Sequence, residues 1–239
     1  MNNLLAELAR QGPQGPVPEE TTGVVEVVSD PLAGTYLLPR LVDEFRGRSP
    51  GIGVRLAVNS DHSAISGAIR RGTCDPGVMP AGLAAPGTTV EFTFGLDLVA
   101  VANRDLVTTA TGIDWAGTPL ALPKGGGLRR TLDAYFASLG IKPRVAFEAG
   151  HPEAVRRAVK TRPLTAIVHG LLVGDDLEAG VLVRVEPPAP LPRHEYKVVR
   201  PRARFRGPAR EFCRFLRERL GQDPDGRRDP VSVISGGAA

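Results

Sequence analysis

Long apolar runs are missing from this chain of 239 residues. None approaches the roughly 18 consecutive apolar residues of a membrane span, so no membrane partner is expected. The N-terminus, MNNLLAELARQGPQGP, lacks a basic start followed by an apolar stretch and a small-residue cleavage site. Export by a signal peptide is therefore not expected, and the cytosol is the expected compartment. Cysteine is nearly absent: Cys74 and Cys213 stand alone, far apart and in different pattern contexts. Neither a disulfide framework nor a cysteine metal site is indicated. The four histidines form no HxH or HExxH element, so a metal site would have to be assembled wholly by the fold, and neither metal nor cofactor is expected. No Gly-x-Ser-x-Gly elbow is present either, which leaves Ser29, Ser60 and Ser63 as helix caps or ligand contacts rather than nucleophiles.

What is present is an ordinary globular composition, 42% hydrophobic and 23% charged. The length suits one large core or two smaller ones, and two lobes are expected. The net charge of +4 is unevenly placed: eleven arginines lie between Arg193 and Arg228. Few aromatics interleave with them and no nucleic-acid motif accompanies them, so a solvated basic face is the simpler reading and direct DNA binding by this chain is not expected.

The chain is organised around Val24 to Gly53. Val24, Val25, Val27 and Val28 make a β-branched run suited to a buried parallel strand. The small polar segment Ser29 to Thr35 turns it, and from Tyr36 the positions Leu37, Leu38, Leu41, Val42 and Phe45 follow a helical spacing. A loop at the carboxyl end of a strand, followed by the free N–H groups of a helix start, is where open α/β sheets bind ligands. The unit recurs. Gly53 to Ser60 alternates as a strand and Asp61 to Arg71 reads as a helix capped by Ser60 or Asp61. Cys74 to Met79 is a short strand interrupted at Pro76, and Thr89 to Ala102 is a strand pair or one long strand carrying the chain into a second lobe. There, Leu120 to Leu122, the loop Pro123 to Gly127 and a helix from Leu128 to Leu139 repeat the plan, and further strands and helices alternate to Ala179. Val181 to Val185 and Glu195 to Arg200 lead back, and Pro208 to Leu220 is a final amphipathic helix.

The expected organisation is a mobile N-terminal segment and linker at 1–23, lobe I at 24–101 and 186–220, lobe II at 102–185, and a disordered tail at 221–239. Small-molecule sites usually lie in the cleft between two such lobes.

Tyr36-Leu37-Leu38-Pro39-Arg40-Leu41, then Phe45-Arg46 and Ser49-Pro50-Gly51-Ile52, resembles the opening of the effector-binding domain of LysR-type transcriptional regulators. Arg71 to Asp75, Leu98 to Ala102, Trp115 to Leu120, Gly127 to Arg130, Glu148 to Gly150, Glu153 to Val159 and the terminal helix match in order, over about residues 24–220. The resemblance implies the two-lobed fold of type II periplasmic binding proteins, each lobe a mixed sheet flanked by helices. It also implies a small, commonly anionic metabolite in the cleft and a homodimer. A regulator of this family carries an N-terminal winged helix-turn-helix, for which the residues before the first strand leave no room; a chain lacking that head is the expectation.

Carried over position by position, the implied ligand contacts are Ser29, Asp30, Leu32 and Thr35, then Ser60 through His62, then Lys124 through Arg129 including Gly126 and Gly127, then Gly150 and His151, then Val168 and His169. Lys124 and Arg129 add positive charge, and Arg129 could grip a carboxylate bidentately. The sequence departs from the family at Thr161 to Leu164 and at His169, where proline is common. Asp30 is unusual in a wall meant to receive an anion unless it is protonated or paired. An alternative stays open at this stage: a headless domain recruited as a cofactor-independent enzyme, with Asp30, His62, His151 and His169 in acid–base roles.

Overall fold

The computed structural model describes residues 22–107, 113–202, 205 and 207–221. The expected mobile segment 1–23 and tail 221–239 lie, except for residues 22, 23 and 221, outside the described residues.

In chain order the elements are β1 (Gly23–Ser29), α1 (Leu38–Arg48), β2 (Ile52–Val58), α2 (His62–Arg71), β3 (Gly77–Pro80), β4 (Thr88–Leu96), β5 (Leu98–Asn103), α3 (Arg104–Val107), β6 (Leu120–Pro123) and α4 (Gly126–Ser138). There follow β7 (Val145–Ala149), α5 (Pro152–Thr161), β8 (Thr165–His169), α6 (Gly170–Glu178), β9 (Leu182–Arg184), β10 (His194–Pro201) and α7 (Gly207–Leu220). They build two five-stranded sheets, ordered β2-β1-β3-β10-β4 and β7-β6-β8-β5-β9. Each sheet is mixed. β1 runs parallel to β2 and β3, whereas β10 returns antiparallel to β3 and β4; in the second sheet β6 is parallel to β7 and β8, and β5 is antiparallel to β8 and β9.

The valine run of β1 is explained by its place inside the first sheet. Val25 and Val27 pack into the core shared with α1 and α7, while Val28 joins Ile65 and Ile69 of α2 on the opposite face. Both faces are covered at the carboxyl end of the strand, at Val27 and Val28, whereas at its start Val24 is 38% exposed and Glu26 pairs with Arg55. The anchor of the first face is aromatic: the Phe45 ring of α1 meets Phe212 and Phe215 of α7 at centroid distances of 5.0 and 5.3 Å.

The first helix begins earlier than the apolar spacing predicts. Asp30 accepts a hydrogen bond from the Ala33 N–H (3.0 Å), and the helical path starts at Pro31, a residue well suited to a first helical turn. Ala33–Leu37 then forms one π-helical turn. Gly34 is required there, because a Cβ would lie 2.5 Å from Ser29 Oγ and 2.6 Å from Val58 Cγ2. The second helix is capped by Asp61, which accepts from the Ser63 N–H at 2.8 Å, and it ends at Gly72 with φ of 71°.

The sheets are joined at Asp97, between β4 and β5, and again through residues 185–193, between β9 and β10. Because β5 pairs with β8 and β9, the expected boundary at 101/102 falls inside a strand of the second sheet. Arg193 ties the two crossings, its Nε 3.1 Å from Asp97 Oδ1 and its Nη2 donating to the Gly95 carbonyl at 3.2 Å.

Truncating the aromatic anchor by Phe212→Ala is expected to cost about 3–5 kcal/mol, as for other buried aromatic residues, and to lower the urea midpoint with an unchanged slope.

Candidate functional site

Where the two sheets meet, the carboxyl ends of β1, β6 and β8 and the start of β10 enclose a cavity of about 100 Å³. Lobe I contributes Asp30, Ser60, His62, His194 and Tyr196, and lobe II contributes Gly125 to Leu128, Gly150, Val168 and His169. Three helices begin at its wall, at His62, Gly126 and Pro152. The first N–H groups of a helix have no intrahelical partner, so such ends favour anions; here α5 starts with proline and its Glu153 N–H is taken by His151, and the Ser63 N–H of α2 is taken by Asp61, whereas Gly125 before α4 provides no side-chain cap.

The inner end is a chain of buried polar groups. His169 Nε2 lies 2.9 Å from His194 Nδ1, with a single proton between the neutral rings, so one ring donates and the other accepts. Beside them, the Tyr196 hydroxyl donates to Asp30 Oδ2 at 2.8 Å, while Oδ1 takes the Ala33 N–H. Burial holds the His169 imidazole well below its ordinary value, with His194 reinforcing the effect. The His194 imidazole falls to about 4, chiefly through burial and secondarily through Arg130. Burial likewise pushes the Asp30 carboxyl up and the Tyr196 hydroxyl well up, the latter also because of the adjacent Asp30. His169 Nδ1 is buried and has no hydrogen-bond partner.

Glycine sets how closely the lobes approach. A Cβ at Gly127 would lie 2.8 Å from His194 Nε2 and 2.9 Å from Pro80 Cβ, so the first turn of α4 closes on lobe I only because a side chain is missing. Near the mouth, the Tyr36 hydroxyl of lobe I donates to the Glu153 carboxylate of lobe II. Burial and that carboxylate raise the Tyr36 hydroxyl to about 12. Arg156 holds Glu153 in turn, and donates to Asp176 from Nε (2.6 Å) and Nη2 (3.1 Å).

Of the residues expected in the site, Asp30, Ser60, His62, Gly126, Gly127 and His169 line this cavity, with Leu32, Gly150 and Val168. Ser29, Thr35, Lys124, Arg129 and His151 do not. Ser29 is fully buried, its hydroxyl donating to the Asp30 carbonyl at 3.1 Å, and Thr35 is exposed on the π turn. Lys124 is exposed. Arg129 is taken up by Asp133 (2.8 Å), Glu148 and the Pro123 carbonyl (3.0 Å), because α4 places it one turn past the cavity wall beside two acidic neighbours. His151 is exposed and caps α5, accepting from the Glu153 N–H at 3.3 Å. The acid–base set of Asp30, His62, His151 and His169 is therefore not gathered as a unit, and among the described residues no cluster of His, Cys, Asp or Glu could hold a metal ion. Among the described residues, no lining side chain is Lys or Arg.

Sequence reasoning does not reach His194 and Tyr196. It starts the return strand at Glu195, yet His194 and Tyr196 stand two apart and share one face of β10, a period that could have revealed them.

Two mixed α/β lobes, two chain crossings and a cavity between the sheets define a bilobal ligand-binding domain of the type II periplasmic-binding-protein kind. A family model described as the LysR substrate binding domain matches residues 18–221, and the chain belongs to that family. Among solved structures, HinK, a LysR family transcriptional regulator from Pseudomonas aeruginosa, superposes with a TM-score of 0.71 at 20% identity, covering 91% of this chain and 77% of that one. The effector binding domain of QuiR in complex with shikimate gives 0.66 at 15% identity over 82% of this chain and 95% of that one. A sulfate-bound mutant of the OxyR2 regulatory domain from Vibrio vulnificus gives 0.65 at 18% identity over 84% and 96%. Identities this low show a shared fold. No curated protein matches the chain.

The buried histidines make stability pH-dependent. Because the folded His194 value of about 4 lies below the ordinary 6.5, the unfolded chain takes up the proton first. The neutral pair thus contributes fully above pH 6.5, and that contribution is lost as the pH falls towards about 4. His194→Gln, which cannot titrate, is expected to show a shallower fall in Tm between pH 7 and 4, by on the order of 2–3 kcal/mol of stability. Parallel Tm profiles of the parent and the variant would refute this.

Proposed function

We propose that this domain senses a small carboxylate or other anionic metabolite held in the interlobe cleft, and that the angle between the lobes reports occupancy. The observation that carries the reading is the convergence of three helix starts on a cavity with no lining Lys or Arg among the described residues. The anionic head would rest on the N–H groups at Gly126, Gly127 and His62 and on the Ser60 hydroxyl, compensated by dipoles rather than by a counter-charge. The uncharged body of the ligand would pass between Leu32, Val155, Val168 and Leu172 towards His169, whose Nδ1 lacks a partner. Asp30 does not oppose this arrangement, because both its oxygens are engaged by the Ala33 N–H and the Tyr196 hydroxyl and burial favours its protonated form. Arg129 would act one step removed, holding the Pro123 carbonyl so that the third loop keeps its path. The shikimate bound to QuiR and the sulfate bound to OxyR2, both anions, support the class of ligand.

A cavity of about 100 Å³ is smaller than the roughly 300–1,000 Å³ of typical small-molecule sites, so entry of a metabolite requires the lobes to part. The Tyr36–Glu153 and His169–His194 contacts are the ties that open. In a complete regulator the motion would pass to a DNA-binding head, and the proposal includes a homodimer formed through the outer faces of the lobes.

Calorimetry with a panel of small hydroxylated and unsubstituted carboxylates tests the reading. A ligand from the panel is expected to lose about 1–3 kcal/mol of affinity in His169→Phe, the range for a hydrogen bond to a buried group. Undiminished affinity would put the ligand elsewhere. Sedimentation equilibrium is expected to return twice the chain mass; a monomer at micromolar concentration would remove the dimer from the proposal.

A further inference from the structure

On the outer side of lobe I, away from the cleft, the end of α2, the segment after β10 and the start of α7 surround an open groove of about 900 Å³. Arg70, Arg71, Arg202 and Arg210 line it, from two parts of the chain far apart in sequence, and no lysine does among the described residues. Helix-dipole compensation accounts for Arg70 and Arg71, which stand in the last turn of α2, but not for Arg202 and Arg210. The contrast with nearby arginines is informative. Arg200 and Arg217 are neutralised by Glu91, and Arg48 and Arg219 by Glu44. Among the described residues, none of the four groove arginines has a carboxylate partner within salt-bridge distance, and Arg210 Nε donates instead to the Phe205 carbonyl at 2.9 Å. The one acid in the groove wall, Asp75, is 5% exposed and accepts the Glu26 N–H at 3.1 Å through Oδ2.

The wall is fitted around these side chains. Gly87 has φ of 76° and a Cβ there would lie 2.8 Å from Arg70 Cδ, so the absent side chain makes room for the arginine stem. Phe205 lines the groove and has the Arg200 guanidinium over its ring at 5.3 Å. Arginine side chains that line one groove raise its positive potential, and each guanidinium presents a planar fork that matches phosphate or carboxylate oxygens. A ligand carrying several negative charges on adjacent groups satisfies more than one fork at once, which a single carboxylate cannot do.

We propose that this groove is a second anion site, independent of the cleft, for a diphosphate or polyphosphate group, either free or attached to a nucleoside. Calorimetric titration of the whole chain with sodium pyrophosphate at low ionic strength tests it. Binding is expected, and the double substitution Arg71→Gln with Arg202→Gln is expected to weaken it by about tenfold or more, in line with the loss of charged hydrogen bonds. Arg55→Gln on β2, whose arginine pairs with Glu26 at 2.9 Å, serves as a control of equal charge change per residue and is expected to leave binding unaltered. A parallel titration with ADP separates the sources: tighter binding than pyrophosphate indicates a nucleoside stacked at Phe205, and equal binding a free phosphate group. Absence of pyrophosphate binding, or equal binding by the double variant with an unchanged Tm, overturns the proposal. His169→Phe, which alters only the cleft, leaves this titration unaffected, so the groove and the sensing site fail or stand separately.

Discussion

The hydrogen bond between His169 and His194, 2.9 Å long, joins the two sheets at the floor of the cleft, and the shape of the site depends on it. His169 ends β8 opposite Leu98, and His194 begins β10 opposite Leu96, so the pair stands beside the crossing at Asp97. The Tyr36–Glu153 hydrogen bond is a second contact between the lobes. Burial keeps both histidine rings neutral, and neutrality is what lets one ring donate to the other; two imidazolium ions at this distance would repel. The neighbouring Tyr196–Asp30 bond extends the same logic into lobe I, where a carboxyl in a wall that faces helix N-termini is supported by two donors of its own.

The cleft gains its electrostatic character from backbone rather than from side-chain charge. Helix starts at His62 and Gly126 face a space that no lining Lys or Arg reaches among the described residues. Charge on lobe I is concentrated instead on the opposite, outer side, where arginines from α2 and the C-terminal segment face a separate groove. The cavity between the sheets and the outer groove share none of their lining residues.

Much of the fold was legible because periodicity reports burial directly. The valine run of β1, the alternation of helical and extended spacing through lobe II, and the closing helix from Gly207 each follow from which faces must be covered. Boundaries set by capping were less accessible: spacing alone starts the first helix at Tyr36, whereas Asp30 and Pro31 start it five residues earlier through a side-chain cap. Among the expected site positions, Asp30, Ser60, His62, Gly126, Gly127 and His169 line the cavity, while Ser29 at a strand end and His151 at a helix start turn to local hydrogen bonds instead. Lys124 and Arg129 stand on the right loop, but where a flexible side chain goes depends on partners such as Asp133 and Glu148, and these are settled only once α4 lies beside β7.

The sequence by itself therefore determined the alternation of strands and helices and the two-lobed plan, because both rest on local patterning, and its ordered motifs carried the resemblance to the family. Only the tertiary structure decided that His169 would meet His194, that Tyr196 would hold Asp30, and that four arginines would line one groove with no carboxylate partner among the described residues. Those outcomes depend on distances between segments that β10 and α7 bring back to lobe I after a whole second lobe, and no local pattern encodes a distance of that kind.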